Sequence, residues 1–354
     1  MNDVIVIGGG QSGIAAARAA RNRGLTPLVL EAGPEPAGSW PRYYDSLTLF
    51  SPAGYSGPPH APFPGDPERY PTRDEVADHL RGQAASLDVE IRTGTRVVAV
   101  TADQAGGFTV RTADGQTLPT AGVVAASGSF GNPHRPELPG HAGFTGEVLH
   151  AADYRNPKPF AGQRVVIVGA GNSAVQIGYE LADVADVTLA TRGPIGFVPQ
   201  RHDGQDLHYW LRRTGFDDLP PEWLARLVTA TLVLDTGDYR RAFDSGRLDR
   251  RPVFTGFDGD HVVWPDGTRE RVDTVLFATG YRPHLDYLEP LGALADGLPL
   301  HSGGLSATHP GLVYVGLEFQ RSFASNTLRG VHRDAEYVTA ALAAHVGKAG
   351  ALVA

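Results

Sequence analysis

Two stretches of this chain combine residue types in an order that suits the chemistry of phosphate binding. Gly8-Gly9-Gly10-Gln11-Ser12-Gly13 follows the apolar run Val4-Ile5-Val6-Ile7, Ile14 to Arg23 reads as a helix ended by Gly24, and Pro27 to Leu30 reads as a second strand with Glu31 at its carboxyl end. A short run buried on both faces is what a central parallel strand needs. In such a turn Gly8 permits the tight reversal, Gly10 lets a pyrophosphate approach the backbone, and Gly13 lets helix and strand pack closely. The helix N-terminus then faces the phosphates. Glu31, 18 residues after Gly13, can hydrogen-bond a ribose diol. A plain glycine turn beside a solvated glutamate would need no such order of strand, turn, helix, strand and acid.

The pattern returns about 160 residues later. Arg164 to Val168 leads into Gly169-Ala170-Gly171-Asn172-Ser173-Ala174, then a helix from Val175 to Leu181 and a strand from Val187 to Ala190. Ala174 stands at the packing position of the third glycine, and Arg192, 18 residues after Ala174, stands where the first unit has its acid. A carboxylate there would repel a 2′-phosphate, whereas a guanidinium pairs with it. Arg192 therefore marks an NADPH-preferring site, and Glu31 a site for the adenosine ribose of FAD. Two such sites in one chain suggest electron transfer from a diffusing nicotinamide to a resident flavin.

These loops need a scaffold, and the chain is long enough for one. Its 354 residues, 42% hydrophobic and 20% charged, fit two or three globular domains. A net charge of -8 without a basic block argues against nucleic-acid binding. Cysteine is absent, which excludes dithiol redox chemistry, cysteine nucleophiles, thiolate zinc sites and cysteine-ligated iron–sulfur clusters. The N-terminus does not read as a signal peptide and no apolar run reaches membrane-spanning length, so a cytoplasmic setting is expected. Arg96–Thr101 and Phe108–Thr112 read as antiparallel strands, with Asp114-Gly115 as a turn. Gly122–Gly128 and Val272–Gly280 echo each other, and each closes one nucleotide-binding unit. Trp210 to Arg251 reads as a mostly helical insertion that lines a substrate cleft or covers a sheet; His202, His208 and Tyr209 near its start read as surface residues. Asn326 to Ala335, including Leu328, is expected to open a final helix running to about Val346, with its N-terminus toward the flavin.

The segment Phe144 to Tyr154 satisfies F-x-G-x-x-x-H-x-x-x-(F/Y/W) in full, with His150 at its centre. Placed between two dinucleotide loops, it resembles the fingerprint of the class B flavoprotein monooxygenases, which include flavin-containing, N-hydroxylating and Baeyer–Villiger enzymes. Ala278-Thr279-Gly280 and Gly38-Ser39-Trp40 are similar to further elements of that family, the latter near the flavin. Baeyer–Villiger enzymes usually close the fingerprint with Trp, so Tyr154 is nearer the heteroatom-oxidising branch.

The resemblance implies an α/β fold of two Rossmann-like dinucleotide-binding domains, the NADPH domain inserted into the FAD domain. The expected division is 1–160 and 284–354 for FAD, and 161–283 for NADPH with the helical insertion at about 205–250. Gly8, Gly10, Gly13, Glu31, Ser39, Trp40, Gly169, Gly171, Asn172, Ser173, Arg192, Thr279, Gly280 and Leu328 are the expected cofactor-binding residues, with no metal. Ser51, His150 and Tyr154 are the expected catalytic set, His150 as a coupler of nicotinamide binding to domain geometry and not as a proton donor. Many relatives place an Asn in a stretch like Ser46–Pro52; Phe50 stands there in this chain, leaving Ser51 as the polar substitute. The implied reaction is hydride transfer from NADPH to FAD, formation of a C4a-(hydro)peroxide, and oxygenation of a small N, S or As nucleophile by a monomer or homodimer. An NAD(P)H oxidase or quinone reductase of the same fold is the rival reading, and a non-catalytic nucleotide sensor the distant one. Thr72 with Glu75 reads as a capping box at the start of another helix.

Overall fold

The computed structural model describes residues 3–353 except 105 and 229–231, and side chains as far as residue 347. Val4–Ile7 is an inner strand of a seven-stranded sheet. It pairs in parallel with Pro27–Leu30 on one side and Gly122–Ala125 on the other, Val4 lying opposite both Pro27 and Gly122. Glu90–Arg92 extends one flank, and Leu312–Tyr314, Leu305–Ser306 and His301–Ser302 extend the other. The period of two divides the apolar residues between faces. Val4 and Val6 pack with helix α1 (Gln11–Arg21) and with Val338 and Leu342 of the final helix, while Ile5 and Ile7 pack with Phe108, Val110 and Leu288. That second face is covered by the antiparallel strands Val97–Ala102, Phe108–Thr112 and Thr117–Thr120. Helix α2 (Arg73–Ala85) begins with the expected reciprocal cap: the Glu75 N–H donates to Thr72 Oγ1, and the Thr72 N–H donates to the Glu75 carboxylate.

The second sheet is wholly parallel, in the order Asp249–Pro252, Asp186–Thr191, Arg164–Val168, Thr274–Phe277, Glu147–His150. Helix α3 (Asn172–Leu181) packs on it. Glu147–His150 lies before the expected boundary at 160, yet it pairs along its length with Thr274–Phe277, so the second sheet takes its edge strand from the fingerprint itself. The insertion is also less helical than expected. Helices α4 (Leu207–Arg213), α5 (Pro221–Leu227) and α6 (Asp238–Asp244) are present, but Leu232–Asp235 is a strand paired in parallel with Gly196–Pro199. Pairing with that partner and with the Asn172 side chain, and not helix propensity, decides its conformation. Residues 229–231 of that insertion lie outside the described residues.

The final helix α7 spans Val331–Val353 and opens five residues later than expected. A Cβ on Gly330 would meet the Ala324 carbonyl oxygen at 2.1 Å, so the chain folds back on itself there. Two connections join the sheets and run side by side: His134 donates to Gly280, Arg282 to Asn132 and His284 to Gly128, at 3.0, 3.0 and 2.9 Å between backbone atoms. No helix among the described residues is long and apolar enough to cross a membrane.

Candidate functional site

The first glycine loop makes a cradle by excluding side chains. Gly8 has φ +109°, and a Cβ there would sit 2.5 Å from the Ala126 carbonyl oxygen at the end of the neighbouring strand. A Cβ on Gly13 would sit 1.7 Å from the Gly8 oxygen, so the turn and α1 touch backbone to backbone. The bare backbones of Gly10 and Gly38 face each other across the opening. Gly8, Gly10, Glu31, Ser39, Trp40 and Asn326 are among the residues lining one cleft. Glu31 is buried, and its carboxylate accepts from the N–H groups of Gly9 (2.5 Å) and Gly33 (2.6 Å). A carboxylate has lone pairs beyond those two bonds for a ribose hydroxyl, and the first-turn N–H groups of α1 have no intrahelical partner. At the far end Trp40 Nε1 donates to Gln11 Oε1 (3.1 Å), and Gln11 Nε2 donates to the Asn326 carbonyl (2.7 Å), tying three segments together. A narrow, glycine-walled cleft with these donors and this carboxylate fits FAD.

The second loop repeats the construction on the other sheet. Gly169 has φ +148°, and a Cβ there would sit 2.4 Å from the Ala278 carbonyl oxygen. Gly171 caps α3, and Ala174, fully buried, occupies the packing position. The Asn172 side chain donates to Leu232 O and accepts from Leu234 N, holding the inserted strand. Ser173 stays in the first turn of α3, partly exposed. Arg192 is exposed just beyond Asp186–Thr191 and has no ion-pair partner among the described residues. Arg250, which the sequence did not single out, donates to Thr191 Oγ1 and Gly193 O and fixes the turn that carries Arg192. These residues fit a nicotinamide dinucleotide with a 2′-phosphate.

Thr279 and Gly280 sit where the second sheet hands over to the connection, and Thr279 Oγ1 donates to His134 O. His150 is fully buried. Its Nδ1 accepts from Ala152 N (3.0 Å), so its Nε2 carries the hydrogen donated to Gly280 O (3.1 Å). Burial pushes its pKa below the usual imidazole range, which keeps it neutral. Tyr154 is buried against Tyr44 and Phe160 and donates to Glu180 Oε2 at 2.8 Å. Burial and that carboxylate push its pKa upward. Ser51 is buried with its Oγ 2.7 Å from Ser56 Oγ. None of these three lines the cleft, and their polar atoms are bonded to neighbouring chain. Leu328 does not line the cleft either. It packs with Ile14, Leu49 and Trp40 behind the cleft, and Asn326 is the residue that reaches it. Sequence reasoning also missed a succession of rings, Trp40–Tyr43–Phe130–Tyr281–His150, with neighbouring centroids 4.8 to 5.4 Å apart, running from the cleft to the fingerprint. Phe130 and Tyr281 each follow a glycine-closed strand, which was the available signal.

Residues 5–216 match the protein family described as pyridine nucleotide-disulphide oxidoreductase. A flavin-containing monooxygenase from Stenotrophomonas maltophilia shares 31% identity over the whole of both chains, with a TM-score of 0.83. The chain belongs to the class B flavin monooxygenases. A doubly substituted mutant of a flavin monooxygenase from the same organism superposes with a TM-score of 0.85 at 32% identity, covering 98% of this chain and 99% of that one. The indole-3-pyruvate monooxygenase YUCCA1 of Oryza sativa subsp. japonica is 29% identical over 323 residues, 82% of this chain and 79% of its own. Monooxygenases of this class use FAD and NADPH. With no cysteine, this monooxygenase shares the dinucleotide architecture of the disulphide oxidoreductases and lacks their dithiol.

The insertion of this monooxygenase docks on both sides of its start. His208 was expected at the surface, but only 2% of its side chain is exposed; His202 does lie at the surface. His208 Nδ1 lies 2.7 Å from Asp206 Oδ1, and Asp206 Oδ2 accepts from Tyr70 (2.6 Å) and Gln200 (2.7 Å). Burial would raise the Asp206 pKa, but the bonds from His208, Tyr70 and Gln200 hold it down to about 2. The Phe50 ring lies stacked 6.0 Å from the His208 ring and remains 45% exposed. Beyond α4, Arg329 makes a two-pronged, largely buried pair with Asp217, and Phe216 packs edge-on against Phe323.

Proposed function

We propose that the chain is an NADPH-using, FAD-dependent monooxygenase that oxygenates a small nucleophilic substrate bearing nitrogen, sulfur or arsenic. The observation that carries the reading is the pair of glycine cradles, each pressed on the end of a neighbouring parallel strand, with Glu31 at one strand end and Arg192 at the other. FAD, when bound, supplies the oxygen-transfer chemistry through a C4a-(hydro)peroxide. The protein supplies position and charge. Glu31 holds the adenosine ribose, the N-terminus of α1 faces the pyrophosphate, and Ser39 and Trp40 border the cleft. Arg192 pairs with the 2′-phosphate of NADPH, and the N–H groups at the start of α3 face its pyrophosphate. His150 positions the Thr279–Gly280 segment through its bond to Gly280 O, so the nicotinamide unit and the connection move as one piece. In this reading the nicotinamide unit is the second sheet with its insertion, and the flavin unit is formed by the residues before and after it.

The test is anaerobic reduction of the holoenzyme by NADPH, then mixing with oxygen in a stopped-flow spectrophotometer. A species absorbing at about 370–385 nm that persists for seconds, and decays faster when substrate is added, is the expected outcome. Phe50 at the place of the relatives' Asn favours the rival oxidase. Direct return to oxidised flavin with stoichiometric peroxide release, unchanged by NADP⁺ or any nucleophile, would establish it.

A further inference from the structure

His208 is the histidine whose surroundings the proposed reaction leaves unused. Asp206, with its carboxyl ionised, accepts hydrogen bonds only, so the hydrogen between it and His208 sits on Nδ1. The Asp206 carboxylate also accepts from Tyr70, Gln200 and the His208 N–H, which fixes it from three segments. The imidazole is held further by Phe50, 6.0 Å away and near-parallel, and by Tyr55, 6.5 Å away. Its Nε2 therefore presents a lone pair. That nitrogen has no partner among the described residues, and it is not among the unpartnered polar atoms sealed from solvent. A histidine 98% buried, oriented through Nδ1 by a carboxylate and open only at Nε2, is arranged to take a proton.

A run of neighbouring residues leads from the subsite towards the flavin cleft. Phe50 follows Leu49, which packs in the same apolar cluster as Trp40, and Trp40 lines the cleft. Exposed aromatic surface beside a buried base suits a substrate with an apolar body and a protonated nitrogen. We propose that Asp206 and His208 form a proton-accepting subsite for an amine substrate, with Phe50 and Tyr55 as its apolar wall. An ammonium N–H bond breaks, its proton forms a bond to His208 Nε2, and the electron pair stays on the substrate nitrogen, which becomes the nucleophile that oxygenation requires. The Asp206 carboxylate stabilises the imidazolium until the proton passes to water. The other charged or titratable groups around this pair are Tyr70 and Tyr55, with Glu68, Arg212 and Tyr209 acting on Tyr55 and Arg201 on Tyr70. Asp206, with its bonds to other segments, is a positioning residue; His208 is the group that meets substrate. This inference rests on the monooxygenase reading and narrows its substrate class to amines.

The test compares the wild-type holoenzyme with H208Q and H208F, the latter keeping a ring against Phe50. The probes are N,N-dimethylbenzylamine, at a pH below the amine's own pKa, and the uncharged benzyl methyl sulfide. The expected result is a fall of about 100-fold in kcat/KM for the amine in both variants, with the sulfide and the rate of flavin reduction by NADPH unchanged within twofold. An equal fall for amine and sulfide, or no fall for either, overturns the proposal. A second readout uses no turnover: diethyl pyrocarbonate labelling of the oxidised holoenzyme without NADPH, mapped by mass spectrometry. His208 is expected to be labelled and to be protected by the amine but not by the sulfide. An unreactive His208, or one that the amine leaves unprotected, overturns the proposal. Absence of oxygenation of both probes by the wild type would count against the monooxygenase reading, and the labelling would still decide the role of His208.

Discussion

Replacing Gly13 by alanine tests the cradle directly. The added Cβ would lie 1.7 Å from the Gly8 carbonyl oxygen and 2.8 Å from its carbon, and both are backbone atoms that cannot swing aside. Relief to van der Waals contact requires the start of α1 to retreat by about 2 Å, since carbon contacts settle near 3.5–4.0 Å. Forced overpacking of this kind costs about 1–3 kcal/mol. The retreat also draws the first-turn N–H groups away from the pyrophosphate, and a hydrogen bond to a charged group contributes about 1.5–3 kcal/mol. The strain weighs on the fold, and losing one such bond weighs on the flavin: about 1.5–3 kcal/mol is about 10- to 100-fold in affinity at about 1.4 kcal/mol per tenfold. Purified G13A is expected to be largely colourless, with an FAD dissociation constant raised by that factor in a titration of the apoprotein. The control is A174G at the equivalent position of the second loop, where the native residue already accommodates a methyl group. That variant is expected to keep its flavin and lose about 1 kcal/mol of helix stability. A G13A protein that retains stoichiometric FAD at unchanged affinity would refute the argument from close packing.

Three further outcomes follow from the same structure. R192A is expected to raise the KM for NADPH by about 10- to 100-fold while leaving NADH unaffected, because a charge-assisted bond to the 2′-phosphate is lost; steady-state reduction kinetics with both nucleotides check it. R329A leaves the Asp217 carboxylate largely buried without its bidentate partner, so a loss of about 3–5 kcal/mol is expected in thermal or urea unfolding. Asp206 is depressed from 3.8 to about 2, so its stabilising contribution is complete above about pH 4 and is lost as the pH falls through about 2. Acid unfolding of D206N is therefore expected to be less steep than the wild type between those values, and coincident curves would contradict the assignment.

What the sequence revealed was local. Each glycine loop declares itself because its turn, its helix and its flanking strands lie within about 25 consecutive residues, and the Thr72–Glu75 cap is legible over four. What stayed hidden depended on distant chain. Leu232–Asp235 became a strand because Gly196–Pro199 and the Asn172 side chain were there to pair with it. His208 is buried because Tyr70 holds its carboxylate from 136 positions earlier in the chain and Phe50 covers its ring. The late start of α7 is set by the contact between Gly330 and Ala324, which no helix propensity encodes. His150 and Tyr154 were recognisable as important from their motif, but only the geometry shows their polar atoms already occupied.

The order of strands in the first sheet has a consequence for synthesis. Gly122–Ala125 emerges from the ribosome with one neighbour, Val4–Ile7, and its other edge waits for Leu312–Tyr314, roughly 190 residues later. Meanwhile the second sheet, built wholly from residues 147–277, can form without anything downstream. The nascent chain therefore completes its second sheet first and carries an open edge on the first sheet until Leu312–Tyr314 appears. Open edges invite pairing with other chains. Asn326, which reaches the flavin cleft, comes after Leu312–Tyr314, so a flavin that binds as the chain is finished also closes the interval of exposure.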